Sequence, residues 1–412
     1  MRMLVVAEPD SYVKWAVSRT VEARATWDVD VVVVRSAVTP SAEQVAAAVD
    51  GRLTAPPPLV SYSELVQRLR RDPPDALLLA CRGPLIDFLV RELYVDGAAA
   101  DGPGGGSSPR PAIAAGIPGI WNPPTSLGLR LRRGVDLLVV HSHAERAAVT
   151  DAVPGAVGLA SLVRSAPDSS QGDTPAPAAS DAAPRPRIVF APQALVPSSR
   201  DDRLRILRAL VQVARSHPEL DVVIKVRGRT GEAQTHDEDL PYPELLGDIG
   251  GDSPSNLIIG HGPLRESLVG AIGFATVSST AVLEAIEAGV PSLCLDDFGV
   301  SAGQINLVFE GSGLLGSLEA LARLDFRSPS AAWLRDNYFH EPAEDDWLSR
   351  LEVSVADARA GARPRVAPAG RGPRSWLERQ RNRRIALGAE DSRGHRLTGL
   401  LAAIVLAVVR RG

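Results

Sequence analysis

The 412-residue chain is 45% apolar and 23% charged, enough hydrophobic material for two domain cores, and its net charge of −4 offers no basic surface for a nucleic acid. Its two cysteines, Cys81 and Cys294, both sit in apolar runs, which excludes a disulfide or metal framework and suggests core residues in a reducing compartment. Residues 3–7 open the chain as a strand with no leader before it, so a cytoplasmic protein is expected. Helices are predicted over 12–25, 42–49, 63–71 and 84–93, with strands at 29–34, 76–81 and 135–140 and a further helix from 144. Such alternation predicts a parallel sheet covered by helices on both faces. Residues 97–111, rich in Gly, Pro and Ser, read as a mobile loop. Its glycine run follows no strand, and the turn after the first strand lacks Gly-x-Gly-x-x-Gly, so neither NAD nor FAD is expected.

The segment 166–186 has no hydrophobic period and reads as a disordered linker. A second alternating series follows: strand 188–191, helix 201–216, strands 221–226 and 256–260, helix 264–272, then a strand at 274–277. Past about 356 the chain becomes rich in Arg, Gly and Pro. Residues 397–409 are apolar and flanked by arginines. They fall short of the ~20 residues a spanning helix needs, leaving a packing helix, a frayed tail or a peripheral membrane contact.

The strongest chemical signal is Thr276-Val-Ser-Ser-Thr-Ala-Val-Leu-Glu-Ala-Ile-Glu-Ala-Gly-Val-Pro291, which reads as strand end, serine turn, helix and glycine stop. No Glu or Gln stands three residues after Ser278, Ser279 or Thr280, so no capping box takes up the first N–H groups. A serine-rich turn feeding an open helix start suits an anion, and Glu284, one turn further in, suits sugar hydroxyls. Phosphate and ribose together mean a nucleotide; an ordinary amphipathic helix is the plainer alternative. Lys225 and Arg227 share one face at a strand end, where they suit a phosphate or simply stand in solvent. Lys14 and Lys225 are the only lysines among 45 basic residues, either by chance or because a compact ammonium is required there. His261 sits at another strand end. Asp10, just after the first strand, reads as a general base or as a helix N-cap, and His141 is the second candidate base. Lys14, one turn past Asp10, suits a phosphate or carboxylate. No Asp-x-Asp pair in a strand-end context calls for a metal. Trp333-Leu-Arg-Asp-Asn-Tyr-Phe-His340 reads as a helix packed on the domain, with a place in the cleft as the alternative.

Glu284-Ala-Ile-Glu-Ala-Gly-Val-Pro291 resembles the Glu-Ala-x-x-x-Gly-x-Pro helix of GT-B glycosyltransferases. Together with 10–15, 225–236, 278–297, 306–313 and 333–340, it makes the chain similar to a group of actinobacterial proteins classed as glycosyltransferases. More distantly it resembles sialyl-, polysialyl- and CDP-glycerol-type transferases, although Glu8-Pro-Asp10 departs from the acidic-acidic-Gly motif of the polysialyl group.

The resemblance implies an α/β fold of two Rossmann-like domains facing across a cleft. The expected parts are an acceptor domain (1–165), the linker, a nucleotide-sugar domain (187–355) and a tail (356–412) with a short apolar helix. Ser278, Ser279, Thr280, Lys225 and Arg227 would hold phosphate and Glu284 the ribose, while Asp297, Asn306 and Lys14 would line the cleft. His236 would serve as the phosphate-binding motif histidine, although Asp237 follows it where the motif has Pro, and His261 is its rival. The implied reaction is a metal-independent transfer to a cell-envelope glycan or lipid-linked acceptor, with a CMP-activated acidic sugar as the first donor considered. Asp10 or His141 would be the base, and no cofactor is needed beyond the donor substrate. Two other readings remain: a nucleotide-sugar 2-epimerase on the same fold, and a non-catalytic nucleotide-binding scaffold of envelope biosynthesis.

Overall fold

The run Met3-Leu-Val-Val-Ala7 contains no polar residue, and every one of its side chains is buried, as expected of a central strand in a parallel sheet. It forms most of β1 (Arg2–Ala7) in a computed structural model that describes residues 1–100, 110–162, 185–226, 239–249, 253–361 and 372–409. The chain divides into two units. The first comprises Met1–Ala160 together with Glu341–Gly412, and the second lies between them in sequence.

In the first unit β1 is followed by α1 (Asp10–Ala23), β2 (Asp28–Val34), α2 (Ala42–Val49), β3 (Leu59–Val60) and α3 (Tyr62–Arg71). Then come β4 (Ala76–Ala80), α4 (Gly83–Ala100), β5 (Ala112–Gly116), α5 (Ser126–Leu131), β6 (Leu137–Val140), α6 (His143–Thr150) and β7 (Ala156–Leu159). All pairs are parallel, in the order β3-β2-β1-β4-β5-β6-β7. Helices α2 and α3 both start at a serine capping box, Ser41 with Gln44 and Ser61 with Glu64. Helix α4 runs to Ala100, past the expected end at 93 and into the segment expected to be a loop; residues 101–109 of that segment lie outside the described residues.

The second unit holds β8 (Arg187–Phe190), α7 (Arg200–Ser216), β9 (Asp221–Lys225), α8 (Tyr242–Leu246), β10 (Leu257–Gly260) and α9 (Leu264–Leu268). It continues with β11 (Ala271–Thr276), α10 (Ala281–Glu287), β12 (Ser292–Leu295), β13 (Leu315–Gly316), α11 (Leu318–Ala322) and α12 (Ala331–Asp336). Its sheet is parallel in the order β10-β9-β8-β11-β12-β13, the same winding as the first. The helix expected over 264–272 stops at Leu268: Gly270 takes φ +73°, ends the helical path, and hands the next residues to β11. Helix α12 packs as expected, with the Trp333 indole N–H donating to Val308 O at 2.7 Å. The expected linker falls largely outside the described residues.

The C-terminal stretch departs from the expected tail. Helices α13 (Trp347–Arg359), α14 (Pro373–Leu387) and α15 (Arg393–Val409) belong to the first unit, so the second unit ends at His340, ahead of the expected 355. The Trp347 indole donates to Glu22 at 3.0 Å, and its Cα lies 2.8 Å from where a Cβ on Gly158 would stand. Asp346 accepts from the Leu159 N–H (2.7 Å) and from Arg350 (2.7 Å), and also pairs with Arg146. Burial opposes the Asp346 charge, yet these donors hold its carboxyl below the usual range. On α14, Asn382 donates to the buried Asp87 at 2.7 Å.

Candidate functional site

Doubly wound sheets bind ligands outside the carboxyl ends of their strands, where the strand order reverses. Here the reversals fall between β1 and β4 in the first unit, and between β8 and β11 in the second.

At the second reversal, Thr276 ends β11. Its hydroxyl donates to Ala191 O (2.7 Å), just past β8, and accepts from the Ser279 N–H (3.0 Å), folding the serine turn back over the strand end. Ser279 Oγ accepts from the Ala281 N–H at 3.3 Å, and the Val282 and Leu283 N–H groups donate to Ser279 O and Thr280 O. The first N–H groups of α10 are therefore already engaged, and the helix is only seven residues long. The open helix start expected from the sequence is thus replaced by a tight hydroxyl-rich turn. Within that turn Ser278 is buried, and its Oγ has no hydrogen-bond partner among the described residues. Thr280 and Glu284 are half-buried beside it in sequence.

Lys225 ends β9. Its register, through Phe190 beside Ile224 and Ala275 beside Phe190, places it level with Thr276 with β8 between them. That is two strand spacings, about 10 Å. The buried Lys225 ammonium donates to Val226 O at 2.7 Å. Gly260 pairs with Lys225 on β10; a Cβ on it would meet Val223 Cγ1 at 2.7 Å and stand at ordinary contact distance, 3.6 Å, from Lys225 Cδ. His261 follows, exposed at the same edge. Arg227 and His236 lie outside the described residues.

Two expected pocket residues serve local structure instead. Asn306 is fully buried: Oδ1 accepts from the Ser301 N–H and Nδ2 donates to Gly299 O, both at 3.0 Å, which uses its amide to close its own loop. Asp297 Oδ2 accepts from the Leu318 N–H at 2.6 Å, at the start of α11.

The first reversal is built from charge. Glu8 is fully buried just past β1, and Arg82, just past β4, donates to it from its backbone N–H (3.0 Å), Nε (3.2 Å) and Nη2 (2.7 Å). Below them the Arg132 guanidinium reaches Tyr12 Oη at 3.3 Å. Burial raises the Tyr12 phenol, with Arg132 pulling against it, and pushes the Cys81 thiol well above its ordinary value, helped by the Glu8 charge. Cys81 and Cys294 are both buried free thiols.

His141 does not fit its expected role as a base. It is 1% exposed, its Nε2 accepts from the Trp15 indole N–H at 2.8 Å, and its Nδ1 lies 2.7 Å from Ala160 O. Because Nε2 accepts, Nδ1 carries the proton and donates, so neither nitrogen keeps a lone pair for an acceptor hydroxyl. The ring is a pin: Trp15 packs against Gly116, where a Cβ would stand 2.5 Å from the indole, and Glu145 accepts from the His141 and Trp121 N–H groups at 2.8 Å. Asp10 is half-buried as the first residue of α1, with Pro9 at the N-cap position, so the capping alternative is not realised. Lys14 is exposed one turn on. Sequence reasoning missed the Trp15 pin and the Glu8–Arg82 pair, whose partners are distant in the chain; their only local signal was a place beside a strand end.

The fold matches solved structures at low sequence identity. The UDP-GlcNAc 2-epimerase of Methanocaldococcus jannaschii, in complex with UDP-GlcNAc and UDP, aligns with a TM-score of 0.54 at 10% identity over 86% of this chain and 99% of its own. The Neisseria meningitidis UDP-GlcNAc 2-epimerase bound to UDP-GlcNAc aligns at 0.50 and 11% over 87% and 100%. MnaA of S. aureus, with UDP, aligns at 0.50 and 12% over 88% and 97%. These likenesses establish the two-domain α/β fold of the GT-B class. No curated protein matches the chain significantly. A family pattern matches over residues 3–354, and the chain accordingly belongs to the family described as Putative glycosyltransferase (DUF6716).

Proposed function

We propose that the chain is a glycosyltransferase whose second unit binds a nucleotide-activated sugar at the β8/β11 reversal. The observation that carries this reading is the Ser278 hydroxyl, buried in the turn at that reversal with no partner among the described residues. Such a group costs about 1–3 kcal/mol and calls for an explanation, which a ligand oxygen supplies. Lys225, level with the turn, brings a compact cation for the same phosphates, and Glu284 takes the ribose. Family membership supports sugar transfer.

The donor of first choice is a CMP-activated acidic sugar, and the acceptor a cell-envelope glycan or lipid-linked sugar. Asp10 is the base, since both His141 nitrogens are committed. The Ser278 hydroxyl and Lys225 meet the leaving-group charge without a metal, and no cofactor joins the donor. The test is a thermal-shift screen with CMP, CDP, UDP and GDP on the full chain and on Ser278→Ala. A specific ligand stabilises by about 2.7 kcal/mol at a hundredfold excess over its Kd. Stabilisation by one nucleotide, weakened in the variant, supports the donor site; no stabilisation by any of the four overturns it. Conversion of a nucleotide sugar without any acceptor would assign the epimerase reaction instead.

A further inference from the structure

Helix α15 is docked inside out. The residues it buries are small or few, Gly399, Ala402 and Leu406. A Cβ on Gly399 would stand 2.6 Å from Arg384 Cβ and 2.8 Å from Gln380 O, so this close face is the one seated on α14. The large aliphatic residues point the other way: Leu397, Leu401, Ile404 and Val408 are 60%, 56%, 53% and 67% exposed. Their spacing of four, three and four residues makes one continuous stripe along the outer face, and Leu400 and Val405 widen it. Soluble helices normally turn such a stripe inward, and an exposed one marks an interaction site.

The charge around the stripe selects the partner. From 372 to 412 the sequence has nine arginines against three acidic residues, in a chain whose net charge is −4. Arg393, four residues before Leu397 at the start of α15, is exposed, and Arg410 and Arg411 follow the stripe in sequence. Among the described residues, no helix is long and apolar enough to cross a membrane. An apolar stripe with arginines before and after it in sequence, on a 17-residue helix about 25 Å long, suits a helix lying in the plane of an anionic lipid surface.

We propose that the outer face of α15 docks the protein on an anionic bilayer, with the aliphatic stripe entering the acyl boundary and the arginines meeting lipid phosphates. This is independent of the reaction proposed above. The test is co-flotation of the full chain with vesicles of phosphatidylcholine alone or with about one-third phosphatidylglycerol, for wild type and for Leu401→Asp/Ile404→Asp. Both substituted residues are exposed, so circular dichroism and the urea midpoint should stay at wild-type values. The expected result is flotation with anionic vesicles, at least tenfold weaker on neutral ones, and at least tenfold weaker again in the variant. Two results would overturn it: no wild-type flotation with anionic vesicles, or flotation unchanged by the double substitution. A concentration-dependent dimer that the same substitution dissolves, without lipid binding, would assign the face to a second copy of the chain.

Discussion

The two sheets share one winding order, yet they finish their reversal points with opposite chemistry. In the first unit the crevice between β1 and β4 is closed by the Glu8 carboxylate, which accepts two hydrogen bonds from the Arg82 guanidinium and one from the Arg82 backbone N–H. In the second, a threonine hydroxyl ties β11 to β8, and a buried serine hydroxyl beyond it has no partner among the described residues. In the first arrangement the buried Glu8 carboxylate has its partner in Arg82. The second carries a cost in the unliganded chain that a phosphate oxygen would offset. The proposed donor site rests on that serine.

Substitutions can break this contrast, and the largest expected effect is on catalysis at the first edge. Asp10→Asn should lower sugar transfer roughly 10²–10⁴-fold with nucleotide affinity near wild type. His141→Asn should reduce activity only as far as it reduces the folded fraction. If the histidine variant loses more turnover per folded molecule than Asp10→Asn, the base assignment fails.

Next in size is Glu8→Gln, which leaves Arg82 facing a neutral group. The expected loss is about 3 kcal/mol of stability, the low end for a broken buried pair because Arg82 keeps some contact with water. An unchanged urea midpoint would show that the first reversal does not depend on the pair.

Ser278→Ala is the counterpart at the second reversal. Without ligand its stability should hold within about 0.5 kcal/mol or rise, because an unsatisfied hydroxyl is removed. Nucleotide affinity should fall by about 1.5–3 kcal/mol, the worth of a charge-assisted hydrogen bond, as measured by calorimetry. A destabilised apo protein with normal affinity would make the serine structural and erase the contrast.

The smallest expected effect is that of Lys225→Arg. A broad planar guanidinium in place of the compact buried ammonium should weaken nucleotide binding severalfold while keeping the charge. Wild-type affinity would remove Lys225 from the site.

Much of the fold was legible because strand and helix periods are local properties. The Leu77-Leu-Leu79 core of β4 and the amphipathic pattern of α7 announce themselves within a few residues. Strand β5, Ala-Ile-Ala-Ala-Gly, and strand β7, Ala-Val-Gly-Leu, were missed because Ala and Gly have weak strand propensity. The return of α13–α15 to the first unit had no local mark, since Trp347 meets Glu22 and Asn382 meets Asp87 only through the finished fold. The candidate site divides the same way. Ser278 and Lys225 were singled out from residue type and strand position. The Trp15 pin on His141 spans 126 positions and is invisible to spacing. The roles of Asn306 and Asp297 depended on backbone groups no motif encodes.

The discontinuity of the first unit has a consequence in time. Asp87 is made 295 residues before Asn382, the side chain that donates to its buried carboxylate. At ribosomal speeds of about 5–20 residues per second, that interval is roughly 15–60 s. Every strand of the inserted unit is synthesised within it, so the second sheet can close while the first still lacks α13, α14 and α15. The unit begun first is finished last, and until then the faces those helices will cover lack their partners.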